Sequence, residues 1–582
     1  MTLSSTASDA PKIKAGSLLF SPLLLLGAAC VVLAALLTRP FTLPIGANYW
    51  DLYIYFDAAN RIFHGQVPGV DFFTPVGPLG YWLFALFVKV FPQGQPLLVV
   101  QWSLMLVTVP LFALVLADVD RRSRTVALAL LVPFLVFQIL PFNITEYYSY
   151  PGVDGFGIYN RQICEVLYVL SAALIFATGR RTLLAVIVGT MLALFLIKIT
   201  GFVAGLMLCV FAFAVGRVTF RAALVAAGAF FLTLLALQLS LGIVTAYFGD
   251  ILALLGSNED SLLPRFLQAA SLHFKVLAPL LILTLVLLVV ARQDIAKTGA
   301  AFLRRPTMAT LAASLDRDAV WLGLATFAAL FVETQNTGGQ GFIFVWPILL
   351  SILVGCGALP VGRLALVWTL VAASSLPTFV DILHRSARAF VGQMKYVDLA
   401  DKNLGTLGAI SQRTEIMRHA KVMMDAYAAY PATFQYISDQ GELPNFTLYT
   451  EPDFQVTWLM AADQAVDAIR AYEAKNDVHF DTIMSLNFVN PFPWLMNRDG
   501  PHAIAIGADP FRAVPDPDAA VIKAVTNTDL ILYPLCPITD ANETLKKLYE
   551  PGLAGHVRVH LSPCWDGFVR DALAPKAAPA KG

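Results

Sequence analysis

The sequence is poor in charge. Of 582 residues, 14% are Asp, Glu, Lys or Arg, where an ordinary soluble chain carries about a quarter. Neither sign is in excess: 40 basic side chains balance 40 acidic ones, so nothing marks a nucleic-acid-binding surface. No Gly-x-x-x-x-Gly-Lys phosphate loop and no Gly-x-Ser-x-Gly elbow occurs, so neither a P-loop nucleotidase nor an elbow-type serine hydrolase is supported. Histidine is sparse, eight in all and scattered; His556 and His560 are four apart but fall in a strand-like run, not on a helix face that would pair them as metal ligands. No internal repeat and no low-complexity domain is present. Cysteine is scarce too. Cys30, Cys164, Cys209 and Cys356 stand singly in apolar segments, where Cys serves as a small core residue. Cys536 and Cys564 are the only two in the polar C-terminal region. They are candidates for one disulfide if that region lies outside the cytoplasm, and two buried thiols otherwise.

What abounds is hydrophobic surface: 57% of the residues, with a mean hydropathy of +0.68. It comes in long blocks, such as 18–37 and 276–290, and a helix needs about 20 apolar residues to cross a bilayer core. The first block is too long for a signal-peptide core and lacks a small-x-small cleavage site, so it reads as a retained span. Candidate spans fall at about 17–38, 95–118, 126–142, 161–178, 182–197, 201–216, 222–243, 276–293, 319–333, 341–358 and 362–380. Basic residues cluster at Lys12 and Lys14, at 121–124, Arg180 and Arg181, 217–221, 292–305 and Arg363, and such clusters mark cytoplasmic loops. Segment 77–91 decides the topology. If it crosses, most basic clusters fall outside; if it lies in the interface, all fall inside. It is short for a crossing, and Tyr81 and Trp82 suit an interface. The expectation is a polytopic α-helical membrane protein with 11 spans, N-terminus in and C-terminus out.

That parity gathers 38–75, 141–160, a hinge at 198–200, 248–271, 333–340 and everything after about 381 on one outer surface. From about 385 the charge becomes ordinary and long apolar blocks vanish. Short strand-like runs at 446–449, 480–486, 503–506, 530–533 and 557–561 alternate with helical patterns at 456–474 and 540–549. They predict an extracytoplasmic α/β domain over 385–573. A membrane domain precedes it at 1–384 with a long first outer loop, 39–94, and a disordered tail follows at 574–582.

Chemistry concentrates in the first outer loop. Carboxylates beside a membrane are costly unless they bind or pair. Asp57 has an i,i+4 partner in Arg61, so a helix salt bridge competes with a binding role. Asp51 has no local partner and is the stronger functional candidate. Six residues apart, the two would face different sides of a helix.

The order of features resembles the GT-C superfamily of polyprenol-phosphate-dependent glycosyltransferases. It is most similar to the bacterial protein-mannosyltransferase-like and aminoarabinose- or galacturonosyl-transferase-like group. The matching features are the first span, Asp51 near the start of the loop, and an Ala-x-x-x-x-x-x-Gly-x-x-Pro run from Ala58 to Pro68. Asp71 and Phe72 follow, then a Pro-x-Gly-Pro-Leu-x-Tyr-Trp box from Pro75 to Trp82. Where the family usually carries Lys before a Pro-Pro-Leu box, this chain reads Thr74, Pro75, Val76, Gly77. The resemblance covers about 17–200. It implies a GT-C-like bundle in a bacterial inner membrane with a periplasmic C-terminal domain. It also implies a polyprenyl-phosphate sugar donor, a glycolipid, polysaccharide or protein acceptor, and Asp51 as general base. Some members use a divalent cation and others none.

Further candidates follow from that implication. Asp57, Asp71 and Tyr81 would contact substrate from the first loop. The second loop offers Glu146, Tyr148, Asp154 and Tyr159, acids and aromatics of the kind that bind sugars, unless they form an interfacial belt. Arg161 could hold a phosphate bidentately. Lys198 could meet the donor phosphate or merely snorkel, and Glu333 and Asn336 could line the donor pocket or form a tight connection. In the C-terminal region Asn487, Asn490, Arg498, Asp509 and Arg512 read as turn caps on strands. The alternative function is a secondary transporter or lipid flippase, which would place polar groups at the midplane of broken helices and often shows a repeat. A structural or sensory membrane protein fits the Asp-rich first loop least.

Overall fold

The structure is a computed structural model. It describes residues 21–574 apart from 47, 75, 145–150, 258–261, 335–339 and 443–451; the expected tail beyond 574 lies outside the described residues. A helix covers each of the eleven apolar segments. Pro22 opens the first, and Gln95 caps the second by accepting the amide of Leu97 at 2.7 Å. Gly242, at φ +71°, ends the helix Phe220–Leu241 in a left-handed turn that suits glycine. Among the described residues five helices are long and apolar enough to cross a membrane: Pro96–Asp120, Arg180–Ile197, Phe220–Leu241, Phe274–Arg304 and Val361–Gln393. These are features of a polytopic helical membrane protein. The bundle is layered. Helix Ile158–Phe176 is buried over nearly its whole length, whereas Phe220–Leu241 exposes Phe231, Leu232 and Leu239, as a lipid-facing helix does. Segment 248–271, expected as an outer connection, contains the helices Ile243–Ser257 and Leu262–Leu272.

The segment expected as the first outer loop is a packed element. Trp50–Phe63 is a helix, here the Asp51 helix, with Trp50 to Arg61 all buried. Segment 77–91 forms the helix Leu79–Val90, about 18 Å long at 1.5 Å per residue, against a core of about 30 Å. It packs on the Asp51 helix through Tyr55–Tyr81 (5.0 Å between centroids) and an edge-to-face Phe56–Phe84 pair (5.2 Å).

Two small sheets follow. In the first, β1 (Leu43–Pro44) runs parallel to β3 (Ile410–Gln412), and β2 (Val397–Asp398) pairs antiparallel on the other side of β3. The first outer loop and the C-terminal region therefore share backbone hydrogen bonds. The second sheet has the order β4-β5-β7-β6. Its strands are β4 (Ile483–Ser485), β5 (Leu530–Pro534), β6 (His556–Ser562) and β7 (Trp565–Arg570). β4 and β5 are parallel; the other pairs are antiparallel. The expected strands at 480–486, 530–533 and 557–561 are present, and so are the helices, as Pro452–Asn476 and Asp540–Leu553. Segment 446–449 lies outside the described residues. Segment 503–506 is not a strand: Ala503 sits at φ +61°, and the segment instead docks by Ala503 N–H on Asp71 O (2.6 Å) and Ile506 N–H on Phe73 O (3.1 Å). Cys536 and Cys564 form a disulfide with Cα atoms 4.9 Å apart. An aromatic chain, Trp50–Trp458 (6.2 Å) and Trp458–Trp565 (5.6 Å), joins the Asp51 helix to the sheet beside it.

Candidate active site

Asp51 lies in the first turn of its helix, 3% exposed. Its Oδ2 accepts the amides of Gly157 (2.8 Å) and Ile158 (3.4 Å), at the N-terminus of the helix Ile158–Phe176, where a carboxylate is favoured. Gly157 sits at φ +69°, so a glycine suits the turn that aims those amides. Its Oδ1 has no hydrogen bond among the described residues. Burial pushes the carboxyl up to about 6, against the opposing pull of the two amides, Arg161 and Lys198.

Lys198 is the extended residue between helices Arg180–Ile197 and Ile199–Ala214. Its Nζ donates to Asn160 Oδ1 at 2.8 Å and lies 4.7 Å from the Tyr159 ring centroid. It is within electrostatic reach of both Asp51 and Glu333. Glu333 Oε1 accepts the Gly341 amide, and Oε2 is 3.3 Å from His273 Nε2. Tyr55, one helical turn past Asp51, donates to Gln162 Oε1 at 3.4 Å and stacks near Tyr81. Buried polar atoms in this neighbourhood without a hydrogen bond among the described residues include Asn160 Nδ2, Arg161 Nε, Gln162 Nε2, Thr200 Oγ1 and Glu333 Oε2. Such groups are costly unless a ligand or water completes them.

The structure thus brings together Asp51, Tyr81, Tyr159, Arg161, Lys198 and Glu333. Three expected substrate contacts are used elsewhere. Asp57 accepts Arg61 Nε at 2.8 Å in a buried pair. Asp71 Oδ2 accepts the Val67 amide at 2.7 Å, and Oδ1 is 3.5 Å from His502. Asp154 is ion-paired to Arg385 at 2.8 Å and accepts the Asn143 amide, which ties the second loop to helix Val361–Gln393. Each carboxylate answers a nearby cation or amide, so its charge is taken up by the fold. Glu146, Tyr148 and Asn336 lie outside the described residues. Sequence reading missed Tyr55, Asn160 and Gln162. Tyr55 was findable from its i+4 spacing to Asp51; Asn160 and Gln162 carry no signal beyond flanking Arg161. It also missed Glu165, which accepts Gln101 Nε2 at 2.6 Å and Gln138 Nε2 at 2.8 Å one turn below Arg161. Among the described residues no three His, Cys, Asp or Glu side chains are grouped, and Asp51 already has Arg161 and Lys198 near it.

No known protein family matches the chain, and no curated protein does. Among solved structures it is similar to ArnT from Cupriavidus metallidurans bound to undecaprenyl phosphate, at 12% identity over 95% of this chain and 99% of that one, with a TM-score of 0.38. The apo state of the same protein aligns at 14% identity over the same shares, TM-score 0.36. The Archaeoglobus fulgidus oligosaccharyltransferase in complex with Zn and sulfate aligns at 14% identity over 87% of this chain and 67% of that one, TM-score 0.35.

Proposed function

We propose that the protein is a glycosyltransferase moving one monosaccharide from a polyprenyl-phosphate-linked donor to a lipid, glycan or protein acceptor at the outer face of a bacterial inner membrane. The observation that carries this reading is the divided carboxylate of Asp51. One oxygen is fixed by two amides; the other has no hydrogen bond among the described residues, and Lys198 is within electrostatic reach of the carboxyl. The acceptor hydroxyl gives its proton to Oδ1 as its oxygen bonds to the anomeric carbon. The bond from that carbon to the phosphate oxygen breaks, and the lipid phosphate leaves with its charge offset by Lys198 and the unpaired donors of Asn160 and Thr200. With Asp51 as the one base at the centre, the displacement inverts the sugar.

Lys198 stands in for the basic residue missing from the 74–77 segment. Lys198→Met raises the KM for the lipid-phosphate donor by about tenfold or more, in keeping with about 1.5–3 kcal/mol for a charge-assisted contact, and changes the acceptor KM little. An unchanged donor KM in a detergent-solubilised transfer assay removes Lys198 from the phosphate site.

The eleven-span arrangement rests on the shortness of Leu79–Val90 and on the cytoplasmic placement of the basic clusters. A single cysteine at position 123, in an otherwise cysteine-free background, stays unlabelled by an impermeant maleimide in intact spheroplasts and labels after lysis. Labelling from outside overturns the eleven-span arrangement and the outer-face site derived from it.

A further inference from the structure

Lys198 stands at a break between two helices, and other parts of the chain hold that break on both sides. One helix ends at Ile197 and the next begins at Ile199, with Lys198 between them at φ −160° and ψ 130°. The first amides of a helix have no partner within it, and Ile199 N–H is one of these. The Tyr247 hydroxyl accepts it at 3.1 Å. On the other side, Ile197 O accepts Gly77 N–H at 2.9 Å. A Cβ at Gly77 would lie 2.2 Å from Leu196 O, so only glycine allows that approach. The 74–77 segment, which lacks a basic residue, thus packs against the junction that carries one.

Tyr247 belongs to the helix Ile243–Ser257, in the segment expected as an outer connection. Ile243, Tyr247 and Asp250 are 0%, 3% and 9% exposed, and their spacing of four and three residues makes one buried stripe. The same helix leaves Phe248, Leu252 and Leu255 exposed, as a lipid-facing surface does. Two groups of the stripe reach backbone amides of the centre: Tyr247 takes Ile199, and Asp250 Oδ2 takes Thr74 N–H at 3.2 Å. The Tyr247 ring meets Phe195 edge to face at 5.6 Å. That packing needs only a ring, and phenylalanine would supply it. The hydroxyl is what reaches the junction.

We propose that Tyr247 is a positioning residue for the donor phosphate, its hydroxyl fixing the backbone from which Lys198 reaches. This rests on Lys198 as the phosphate contact. Asn160 and Tyr159 hold the amine at the far end of the side chain, and Tyr247 holds the near end. A lysine stem is flexible, so both ends must be fixed for the charge to stay in one place.

The test is thermal unfolding of the full chain in detergent, titrated with undecaprenyl phosphate, and with undecaprenol as the phosphate-free control; the ligand-dependent rise in Tm gives an apparent Kd for each. Tyr247→Phe keeps the ring and weakens binding of undecaprenyl phosphate roughly fivefold, with undecaprenol unchanged. In a Lys198→Met background the same substitution changes phosphate binding by less than about twofold, because no amine is left to position. Ile199→Pro supplies a second route. Proline suits the first position of a helix, removes the N–H that Tyr247 accepts, and confines the preceding residue to the extended region that Lys198 already occupies. Adding Tyr247→Phe to Ile199→Pro therefore costs no further affinity. The proposal is overturned if Tyr247→Phe binds undecaprenyl phosphate like the wild type while Lys198→Met does not. It is equally overturned if Tyr247→Phe weakens binding by the same factor in all three backgrounds, which is a general loss of packing. If Lys198→Met binds as tightly as the wild type, the phosphate role of Lys198 falls first, and that of Tyr247 with it.

Discussion

Asp51→Asn loses sugar transfer while keeping its fold. The Asn side-chain oxygen still accepts the Gly157 and Ile158 amides that hold Asp51 Oδ2, so the contact between the two helices survives. The freed position then carries an amide, which cannot take a proton. Removing a general base costs about 10²–10⁴-fold in turnover, and donor binding changes far less, because Lys198 and the unpaired donors beside it remain. Comparing kcat and donor KM for the two proteins separates these effects: a kcat within threefold of wild type ends the case for Asp51 as base. The pH profile adds a second mark. Burial raises the carboxyl to about 6, so the residue is protonated and inactive below that value. Turnover climbs as pH rises through about 6 and levels off above it, and the residual rate of Asp51→Asn lacks this limb. Stability runs the other way. Between the ordinary aspartate range and about 6, the folded chain holds a proton that the unfolded chain has released, so this residue's contribution to stability declines as pH rises across that window.

Arg61→Ala is the variant expected to damage the fold most. The guanidinium is 1% exposed. It pairs with Asp57, donates to Pro501 O at 2.6 Å and Gln66 Oε1 at 3.2 Å, and lies 5.1 Å from the Phe72 ring centroid. Gln66 in turn donates to Gly500 O at 2.7 Å. Truncation leaves Asp57 buried without its cation and removes a donor from the Pro501 carbonyl. Breaking a buried pair from one side costs about 3–5 kcal/mol, a large part of a typical total. Thermal unfolding in detergent reads this as a marked fall in Tm. The double variant Asp57→Leu/Arg61→Met regains only part of the loss, because the Pro501 contact stays broken. A single variant as stable as wild type shows that the cluster contributes little to docking.

Legibility in the sequence followed the strength of the physical signal. The eleven apolar segments were readable because burying backbone in lipid demands continuous apolar helices, and a helix occupies each one. The i,i+4 pair of Asp57 and Arg61 was readable because both partners are local. Asp51 stood out by lacking such a partner. The use of Asp154 was not readable, because its cation, Arg385, is far away in the chain; Asp71 accepts the amide of Val67 four residues back, a backbone contact that residue types do not announce. For the same reason the pairing of β1 with β3 left no trace, two residues long at one end and three at the other. The unpaired donors of Asn160 and Gln162 depend on which way two amides turn inside a packed helix, which composition does not encode.

The β1–β3 ladder bears on how the molecule is made. Leu43 and Pro44 leave the ribosome long before Ile410 and Ser411, their partners in register, and the Asp51 helix precedes Pro501, the carbonyl that Arg61 holds, by an even longer stretch. Through most of synthesis the segment 39–94 therefore waits with an open strand edge and a guanidinium that has Asp57 and Gln66 but not yet the Pro501 carbonyl. The pocket around Asp51 matures last, when the final third of the chain is made and packs on the Asp51 helix. A chain cut before residue 410 lacks the β3 partners of Leu43 and Pro44 and the carbonyl that Arg61 holds, so it shows to water the very groups that the complete protein conceals.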